Sequence, residues 1–535
     1  MTGVCNHIRN QKLHNHMKAE TRNATKELYN QLRVLPWARL WTEEVARFNR
    51  ASAPERLARV AVVRAVGVVF SESGDPAQAD EVRRWLRGLL QDPGEKIRRY
   101  AMTAMPKIGA GAGEEADLLA LLRSTPVERE KKFLGQTLEK IGGTATLESM
   151  AGATGLLPQT EQKVRASVAR SQSPSTIRMD RALADFGGLR IHLRGRQGLE
   201  RVVRDEVEEY IRTHGKFHFI EASSGRVAIA PVGPFSLGDL YALRCFGTVG
   251  LVVGTVPETA DETAAVEALA AMITSPLSRR VLEIFTEGPV RYRLDFVAKG
   301  HQRGAVRQLA NRVYARFPEI LNDARNAPWT VAIHPAVRSD TVELSPKLTP
   351  DPRLYYREND VPASSHPPLA ACMARLAGRV PNEIVWDPFC GSGLELIERA
   401  LLGGVQSLHG TDLSAEALEI AQKNFAAAKL EGVPAQFTCG DFRDVSRSAG
   451  LGPGSVTLVI TNPPMGRRVP VYNLRGLIAD LFAVAATVLK PGGRLVFANP
   501  LRLAPADPSL KLQSRQTVDL GGFDCLLELY VKSAR

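Results

Sequence analysis

The most restrictive feature of this chain is a segment in its last third where an apolar run ends on a carboxylate and a glycine-rich turn. Residues 382–398 read NEIVWDPFCGSGLELIE, so a short strand is followed by Asp387, the loop PFCGSG and a helix from about Leu394. This order of elements is typical of ligand-binding switch points in parallel sheets. Gly391 and Gly393 lack a Cβ atom and let the backbone pass close to a ligand. The segment therefore predicts a Rossmann-like α/β domain.

Two further carboxylates each end an apolar segment, and these segments are spaced as successive strands would be. Asp412 ends SLHGTD, nineteen residues after Gly393, and an acidic residue at the tip of a second strand normally accepts ribose hydroxyls. Asp441 ends FTCGD, where a carboxylate can accept the amino group of an adenine, on whose ring Phe442 can stack. Asp387 is placed to receive an ammonium group, directly or through a water. A dinucleotide-binding fold would share the first two signals but would not require Asp441.

The segment LVITNPPMG at residues 458–466 carries the reactive chemistry. Its NPP tripeptide matches the first three positions of the tetrapeptide class Asn-Pro-Pro-aromatic, which is specific to methyltransferases acting on planar amino nitrogens. A base amino group is a poor nucleophile because its lone pair is delocalised into the ring. The Asn462 side-chain oxygen and the Pro463 carbonyl can accept its hydrogens and aim the lone pair at a sulfonium methyl group. The sequence thus predicts an S-adenosylmethionine-dependent methyltransferase acting on an exocyclic amino group of a nucleic-acid base.

The rest of the chain predicts domains of other fold classes. Residues 25–150 have apolar side chains at helical spacing, and the tripeptide KIG at residues 107–109 recurs at residues 140–142, a period of 33. A fixed period of this length is typical of stacked helical repeats, with a plain helical bundle as the alternative. Residues 186–345 alternate strands and helices, which predicts an α+β domain. We therefore expect an α/β multidomain protein with an all-α N-terminal region.

Polar segments separate these domains. Residues 1–24 lack the apolar stretch of a signal peptide and are expected to be disordered, although Cys5 and nearby histidines could be drawn as a metal cluster. Residues 151–185 are small and polar and predict a linker. Residues 346–535 hold the Rossmann-like domain, in which TVDLGGFDCLLELYV is expected to complete a seven-stranded sheet as a hairpin.

Charge favours a polyanionic partner. The net charge is +12, and residues 186–345 are rich in arginine, which binds phosphate bidentately. The alternative is that many of these arginines only solvate helix faces. The six cysteines form no C-x-x-C pair, so neither a disulfide framework nor a zinc site is indicated. No apolar run approaches the roughly 18 residues of a membrane span, and a cytoplasmic location is expected.

Residues 186–535 resemble the THUMP-containing guanosine N2-methyltransferase group, which modifies tRNA or 23S rRNA. DPFCGSG matches the motif of that group, and GLERVVRDEVEE and GRVAIAP resemble its THUMP and ferredoxin-like parts. In such methyltransferases, the segment equivalent to YYRENDVPASSHPPLAACMARLAG lies over the cofactor. The resemblance implies that the central domain binds RNA. Residues 25–150 resemble HEAT repeats, which implies a protein partner or a further RNA contact.

The resemblance also implies the site residues, with no metal among their ligands. The implied cofactor contacts are Asp387, Phe389, Cys390, Gly391, Ser392, Gly393, Asp412, Leu413, Asp441, Phe442 and Asn462. The implied catalytic loop consists of Asn462, Pro463, Pro464 and Met465. The group usually has threonine where this chain has Leu394 and an aromatic residue where it has Met465. Methionine packs on a base more weakly than an aromatic ring does.

Two other functions stay open at this point. A DNA adenine or cytosine amino-methyltransferase can share Asn-Pro-Pro-aromatic, but the THUMP-like domain favours RNA. A non-catalytic RNA-binding adaptor with an inactive methyltransferase fold is the second. Met465 favours it slightly, whereas the intact Asp387, Asp412, Asp441 and Asn462 argue against it.

Overall fold

The computed structural model describes residues 25–109, 112–150, 158–298, 302–324, 326–361, 364–444, 450–466 and 470–534. The chain divides into two compact units, of which the first is Met1–Ser175 with Leu321–Asn326 and the second is Thr176–Ile320 with Ala327–Arg535. The disorder predicted for residues 1–24, and the alternative metal cluster around Cys5, lie outside the described residues. Within the described part of the chain, no helix combines the length and the apolar character that crossing a membrane requires.

The first unit is helical, as predicted. Its helical segments are residues 25–32, Trp37–Arg39, Leu40–Val45, Ala46–Arg50, Ala53–Ala58, Ala61–Ser73, Pro76–Gln78, Ala79–Leu89, Glu95–Ile108, Ala112–Ser124, Glu128–Ile141, Thr144–Met150 and Pro158–Gln172. The helices that begin at Ala79 and Ala112 start 33 residues apart, and so do those that begin at Glu95 and Glu128. The spacing of the KIG tripeptide thus corresponds to the ends of two equivalent helices. Membership in the HEAT class stays a prediction.

The linker predicted for residues 151–185 requires correction. Pro158–Gln172 is a fifteen-residue helix, and Val164 and Ala166 on it are buried. The helix packs against Glu128–Ile141, a tertiary contact that its polar composition did not indicate. Further along, Thr176–Ile177 pairs with Thr286–Glu287 in an antiparallel ladder, so these residues already belong to the second unit.

The central domain of the second unit, residues 176–320 and 327–346, is α+β. Its larger elements are β1 (Arg190–Arg194), α1 (Glu200–His214), β2 (Phe217–Ser223), β3 (Arg226–Pro231), α2 (Leu237–Tyr241), β4 (Thr248–Pro257), α3 (Glu262–Ile273), α4 (Pro276–Ile284), β5 (Arg291–Phe296), α5 (Arg303–Arg316), β6 (Trp329–Ala336) and β7 (Ser339–Pro346). These strands lie in the order β5-β6-β7-β4-β1-β3-β2. Only β5 and β6 are parallel neighbours. The sequence did not predict β7, which extends the domain to Pro346.

The C-terminal domain follows from residue 347. Its elements are α6 (Pro367–Ala377), β8 (Glu383–Asp387), α7 (Leu394–Leu401), β9 (Val405–Asp412), α8 (Ala415–Ala427), β10 (Ala435–Cys439), β11 (Val456–Thr461), α9 (Leu474–Val488), β12 (Leu489–Asn499), β13 (Leu510–Asp519) and β14 (Asp524–Lys532). The seven-stranded sheet has the order β10-β9-β8-β11-β12-β14-β13. The first five strands are parallel and the last two form the predicted hairpin. All six residues of β11 are buried, as expected of a central strand covered on both faces.

Polar contacts join the central and C-terminal domains. Arg244, between α2 and β4, pairs with Glu398 of α7 at 2.7 Å, and Arg375 of α6 pairs with Glu209 of α1 at 2.6 Å. The backbone amide of Asp519 donates to the carbonyl of Gln197 at 3.1 Å. Because these contacts cross the domain boundary, the second unit is expected to fold as one piece.

A fragment of residues 176–535 is therefore expected to be soluble and to keep full affinity for the cofactor. All the predicted cofactor contacts and the complete C-terminal sheet lie within it. Calorimetric titration of the fragment and of the full chain with S-adenosylmethionine measures the affinity of each. Aggregation of the fragment, or a large loss of affinity, would contradict the independence of this unit.

Candidate active site

The carboxyl ends of the parallel strands bring the predicted site residues to one edge of the sheet. Asp387 is the last residue of β8 and Asp412 is the last residue of β9. Asp441 follows β10, and Asn462 follows β11 directly. Since β8 lies between β9 and β11, Asp387 lies between the predicted ribose acceptor and the predicted catalytic loop.

The glycine turn after β8 adopts the backbone that the sequence predicts. Gly391 has φ +50° and Gly393 has φ +83°, a region that side-chain-bearing residues rarely occupy. A Cβ atom on Gly393 would also lie 3.3 Å from Cβ of Ala421 in α8. The amide of Cys390 donates to the carbonyl of Thr411 at 2.9 Å, which anchors the turn on the neighbouring strand.

Asp387 has one satisfied and one unsatisfied carboxylate oxygen. Oδ1 accepts from the Phe389 amide at 3.0 Å and from the Thr461 hydroxyl at 2.6 Å. Oδ2 is buried and has no hydrogen-bond partner among the described residues. Burial, together with the charge of Glu395, raises the pKa of the Asp387 carboxyl well above its usual range. A buried acceptor without a donor is costly, so this oxygen is suited to a cationic ligand.

Two backbone amides donate to the Asp412 carboxylate, whose oxygens can accept further hydrogen bonds. Gly391 N donates to Oδ2 at 3.0 Å and Ser414 N donates to Oδ1 at 2.9 Å. The adjacent Leu413 side chain is 74% exposed. An exposed leucine beside a fixed carboxylate at a strand tip can cover the apolar face of a ligand whose hydroxyls bind the carboxylate.

The structure corrects the role predicted for Phe442. Its side chain is 3% exposed, its centroid lies 4.9 Å from that of Phe389, and the Arg443 guanidinium lies 4.9 Å from the ring. Protein atoms therefore occupy the ring faces that would stack on an adenine. Arg443 also pairs with Asp441 at 2.8 Å, so the predicted adenine acceptor has an ionic partner within the protein.

The predicted catalytic loop contains one amide oxygen that has no hydrogen-bond partner among the described residues. Asn462 Nδ2 donates to the Ser365 hydroxyl at 2.9 Å, whereas Asn462 Oδ1 is buried and has no partner among the described residues. Pro463 is buried, and Pro464 and Met465 are half-buried. The arrangement leaves an acceptor, not a donor, available to an incoming amino group.

Sequence reasoning missed the groups that surround this loop. Ser365 lies in the segment before α6, and its hydroxyl donates to the carboxylate of Glu395 in the first turn of α7. The neighbouring Ser364 and Ser392 hydroxyls are 2.9 Å apart, which brings the segment against the glycine turn. The resemblance had indicated a segment over the cofactor, but no local pattern singled out Ser365 or Glu395.

Comparison with known proteins relates the C-terminal domain to methyltransferases. Residues 355–508 match the family model of the RMKL-like methyltransferase domain. The tRNA (guanine(6)-N2)-methyltransferase of Thermus thermophilus is 30% identical over 224 residues, which cover 39% of this chain and 64% of the relative. The tRNA (guanine(10)-N2)-dimethyltransferase of Methanothermobacter thermautotrophicus is 27% identical over 182 residues, covering 32% of this chain and 51% of the relative.

A solved structure extends the comparison to the fold of a larger part of the chain. The crystal structure of TrmN from Thermus thermophilus superposes with a TM-score of 0.51 and 21% identity, covering 64% of this chain and 99% of that one. At this identity the likeness concerns the fold, which is that of a methyltransferase. The chain spans about half to two thirds of the length of the curated relatives named above.

Proposed function

We propose that the C-terminal domain transfers a methyl group from S-adenosylmethionine to the exocyclic N2 of a guanosine in tRNA or 23S rRNA. The observation that carries this proposal is that the buried Oδ1 of Asn462 and the buried Oδ2 of Asp387, at the ends of adjacent strands, have no hydrogen-bond partner among the described residues. The first can accept a hydrogen from an amino group, and the second can accept an ammonium group. S-adenosylmethionine supplies an electrophilic methyl group on a sulfonium.

The residues present fit such a cofactor. Asp387 and Glu395 are buried at 0% and 4% exposure, and no ion pair with a cationic side chain is found for either among the described residues. A buried carboxylate without a cation is costly, so a ligand carrying positive charge would stabilise this pocket. Asp412 is suited to ribose hydroxyls, and the glycine turn with Phe389, Cys390 and Ser392 would line the cofactor. Leu413 would cover the adenine in place of Phe442.

Asn462 and Pro463 would act on the acceptor nucleotide. An amide oxygen and a backbone carbonyl that each accept one amino hydrogen draw the nitrogen toward tetrahedral geometry and direct its lone pair. These contacts strengthen as the nitrogen loses conjugation, so they stabilise the transition state more than the ground state. Two successive prolines hold the Pro463 carbonyl in place, which reduces reorganisation during the reaction.

Several observations support RNA as the substrate. Both curated relatives are named for guanine-N2 methylation of tRNA, and this chain carries a net charge of +12, suited to a polyanion. The central domain, as a THUMP-type module, would hold the RNA. The helical unit, as a HEAT-like repeat, would contact a protein or a further stretch of RNA.

Nucleoside mass spectrometry on RNA from a strain that lacks this gene tests the proposal directly. We expect N2-methylguanosine to disappear from one tRNA or from 23S rRNA, and the purified protein to restore it in vitro with labelled cofactor. A methylated adenine or cytosine lost from DNA would instead identify a DNA amino-methyltransferase. Unchanged nucleosides in all three pools, with no transfer in vitro, would favour the adaptor.

Replacing Asp412 with alanine is expected to weaken S-adenosylmethionine binding by about 1.5–3 kcal/mol, the range for hydrogen bonds to a charged group. The Ser414 and Gly391 amides lose their acceptor as well, so part of the effect comes from a looser turn. Calorimetry on the variant measures the change. Unaltered affinity would refute the ribose role.

Cofactor affinity is expected to fall as the pH is lowered through the raised pKa of Asp387, by up to about tenfold per pH unit for one linked proton. The raised pKa of Asp387 means that this carboxyl takes up a proton well above the reference value of about 3.9. Only the ionised form attracts an ammonium group. The raised pKa also links the stability of the ligand-free fold to pH. The contribution of Asp387 to that stability is present at low pH, where the carboxyl is protonated, and is lost as the pH rises through its raised pKa.

Asp387→Asn serves as the control, because it keeps the shape of the side chain and cannot ionise. Its affinity should be lower than that of the native protein above the raised pKa of Asp387, and it should vary less with pH. An equal slope in both proteins would assign the pH dependence to another group, such as Glu395, whose pKa burial also raises.

A further inference from the structure

A chain of hydrogen bonds leads from the catalytic loop into the core of the C-terminal domain. Asn462 Nδ2 donates to Ser365 Oγ at 2.9 Å, and Ser365 Oγ donates to Glu395 Oε1. The participating residues come from the end of β11, the segment before α6 and the first turn of α7. We call these two hydrogen bonds the Asn462 relay. The proposed function uses the Oδ1 end of Asn462 but not the hydrogen bond from its Nδ2 to Ser365.

The relay affects which end of the Asn462 side-chain amide faces the acceptor base. The oxygen and nitrogen ends of an asparagine side chain are similar in shape but opposite in hydrogen bonding. Only with Oδ1 toward the acceptor base can Asn462 accept an amino hydrogen. In the flipped orientation its NH2 would face another NH2, and no hydrogen bond could form.

A serine hydroxyl has one hydrogen to donate. When that hydrogen is given to Glu395, the hydroxyl can only accept from Asn462, and Nδ2 is the end that must face it. We propose that Ser365 and Glu395 are positioning residues that hold the Asn462 amide with Oδ1 toward the acceptor amino group. This inference rests on the proposed function, since it assigns the orientation of the catalytic loop in that reaction.

The setting of Glu395 supports this role. Its side chain is 4% exposed, and within the described part of the chain it forms no ion pair. Burying a carboxylate is unfavourable unless its lone pairs are satisfied, so a neutral residue would serve packing better. The carboxylate provides an acceptor for the Ser365 hydrogen, and Asn462 Oδ1 meets no donor within the described ranges of the chain.

The test compares single-turnover methylation rates at saturating cofactor on RNA that lacks its native methylation. Ser365→Ala should lower the rate about tenfold to a hundredfold, as expected when a reacting group is misoriented. Glu395→Leu should have a similar effect. Ser365→Thr keeps the hydroxyl and should recover most of the rate. Glu395→Gln keeps an acceptor oxygen, and its rate should lie between that of Glu395→Leu and that of the native protein. The dissociation constant for S-adenosylmethionine should stay within about threefold in the two Ser365 variants. Glu395 also adds negative charge to the cofactor pocket, so its two variants are compared at a cofactor concentration that saturates each of them.

Two further measurements separate the relay from a general structural effect. Ser407→Ala removes another half-buried hydroxyl of the same domain, one that lies 3.3 Å from His409 Nε2, and should leave the rate unchanged. Adding Ser365→Ala to Asn462→Ala should cause no further loss, because residues that act as a unit are not additive.

The outcomes distinguish the relay from the function on which it rests. If Ser365→Ala keeps its rate while Asn462→Ala is inactive, the relay is wrong and the proposed function stands. If Ser365→Ala loses cofactor affinity in proportion to rate, the serine belongs to the cofactor pocket and the relay is equally wrong. If Asn462→Ala keeps a native rate, both proposals fail.

Discussion

Replacing Asn462 with alanine is expected to lower the single-turnover methylation rate about a hundred- to thousandfold, the cost of losing one preorganised contact to the reacting group. The buried Oδ1 of Asn462 has no hydrogen-bond partner among the described residues, so it is available to accept a hydrogen from the acceptor amino group. Because this bond strengthens as the amino nitrogen rehybridises, its loss lowers the rate rather than binding. Dissociation constants for cofactor and RNA should stay nearly unchanged.

The same experiment discriminates among mechanisms. Rates are measured with enzyme in excess over RNA that lacks its native methylation, and both dissociation constants are measured on the same preparations. A variant that binds both ligands but does not transfer the methyl group supports the assignment of Asn462 to the acceptor. A near-native rate would contradict amine methylation through this loop, whatever the fold.

Replacing Glu383 with alanine is expected to destabilise the second unit by about 3–5 kcal/mol, the range for removing one partner of a buried ion pair. Glu383 begins β8, is fully buried, and pairs with Arg399 of α7 and Arg494 of β12. Burial, with the charge of Arg379, already lowers the pKa of the Arg399 guanidinium to about 10. Without Glu383, two buried guanidinium groups would face each other uncompensated.

Urea unfolding of the 176–535 fragment measures this effect as a shift in midpoint at constant slope. Glu208→Ala is a suitable control, because Glu208 pairs with Arg204 at 2.7 Å on the exposed side of α1. Exposed pairs of this kind contribute less than about 1 kcal/mol. Equal destabilisation by both substitutions would mean that the buried ion pairs of Glu383 contribute no more to stability than an exposed pair.

The sequence by itself determined the fold class of the C-terminal domain and which strand ends form its candidate site. Strand, turn and helix follow one another locally, so the run from β8 to α7 can be read from residue types alone. The carboxyl ends of parallel strands meet at one edge of a sheet, and this rule brings Asp387, Asp412 and Asn462 together without any knowledge of distances. The hairpin that completes the sheet was predicted for the same local reason.

Only the tertiary structure decided which of these groups have partners. Ser365 is 97 residues from Asn462 and 30 residues from Glu395, and no local pattern links positions so far apart. The burial of Phe442 depends on Phe389 and Arg443, which pack around it. From the sequence alone, this aromatic residue at a strand end was interpreted as a surface for stacking on adenine, although it belongs to the core. The unpartnered Oδ1 of Asn462 likewise exists only because the fold places Ser365 at the other end of the amide. Hydrogen-bond partners and burial are set by long-range packing, which residue order alone does not specify.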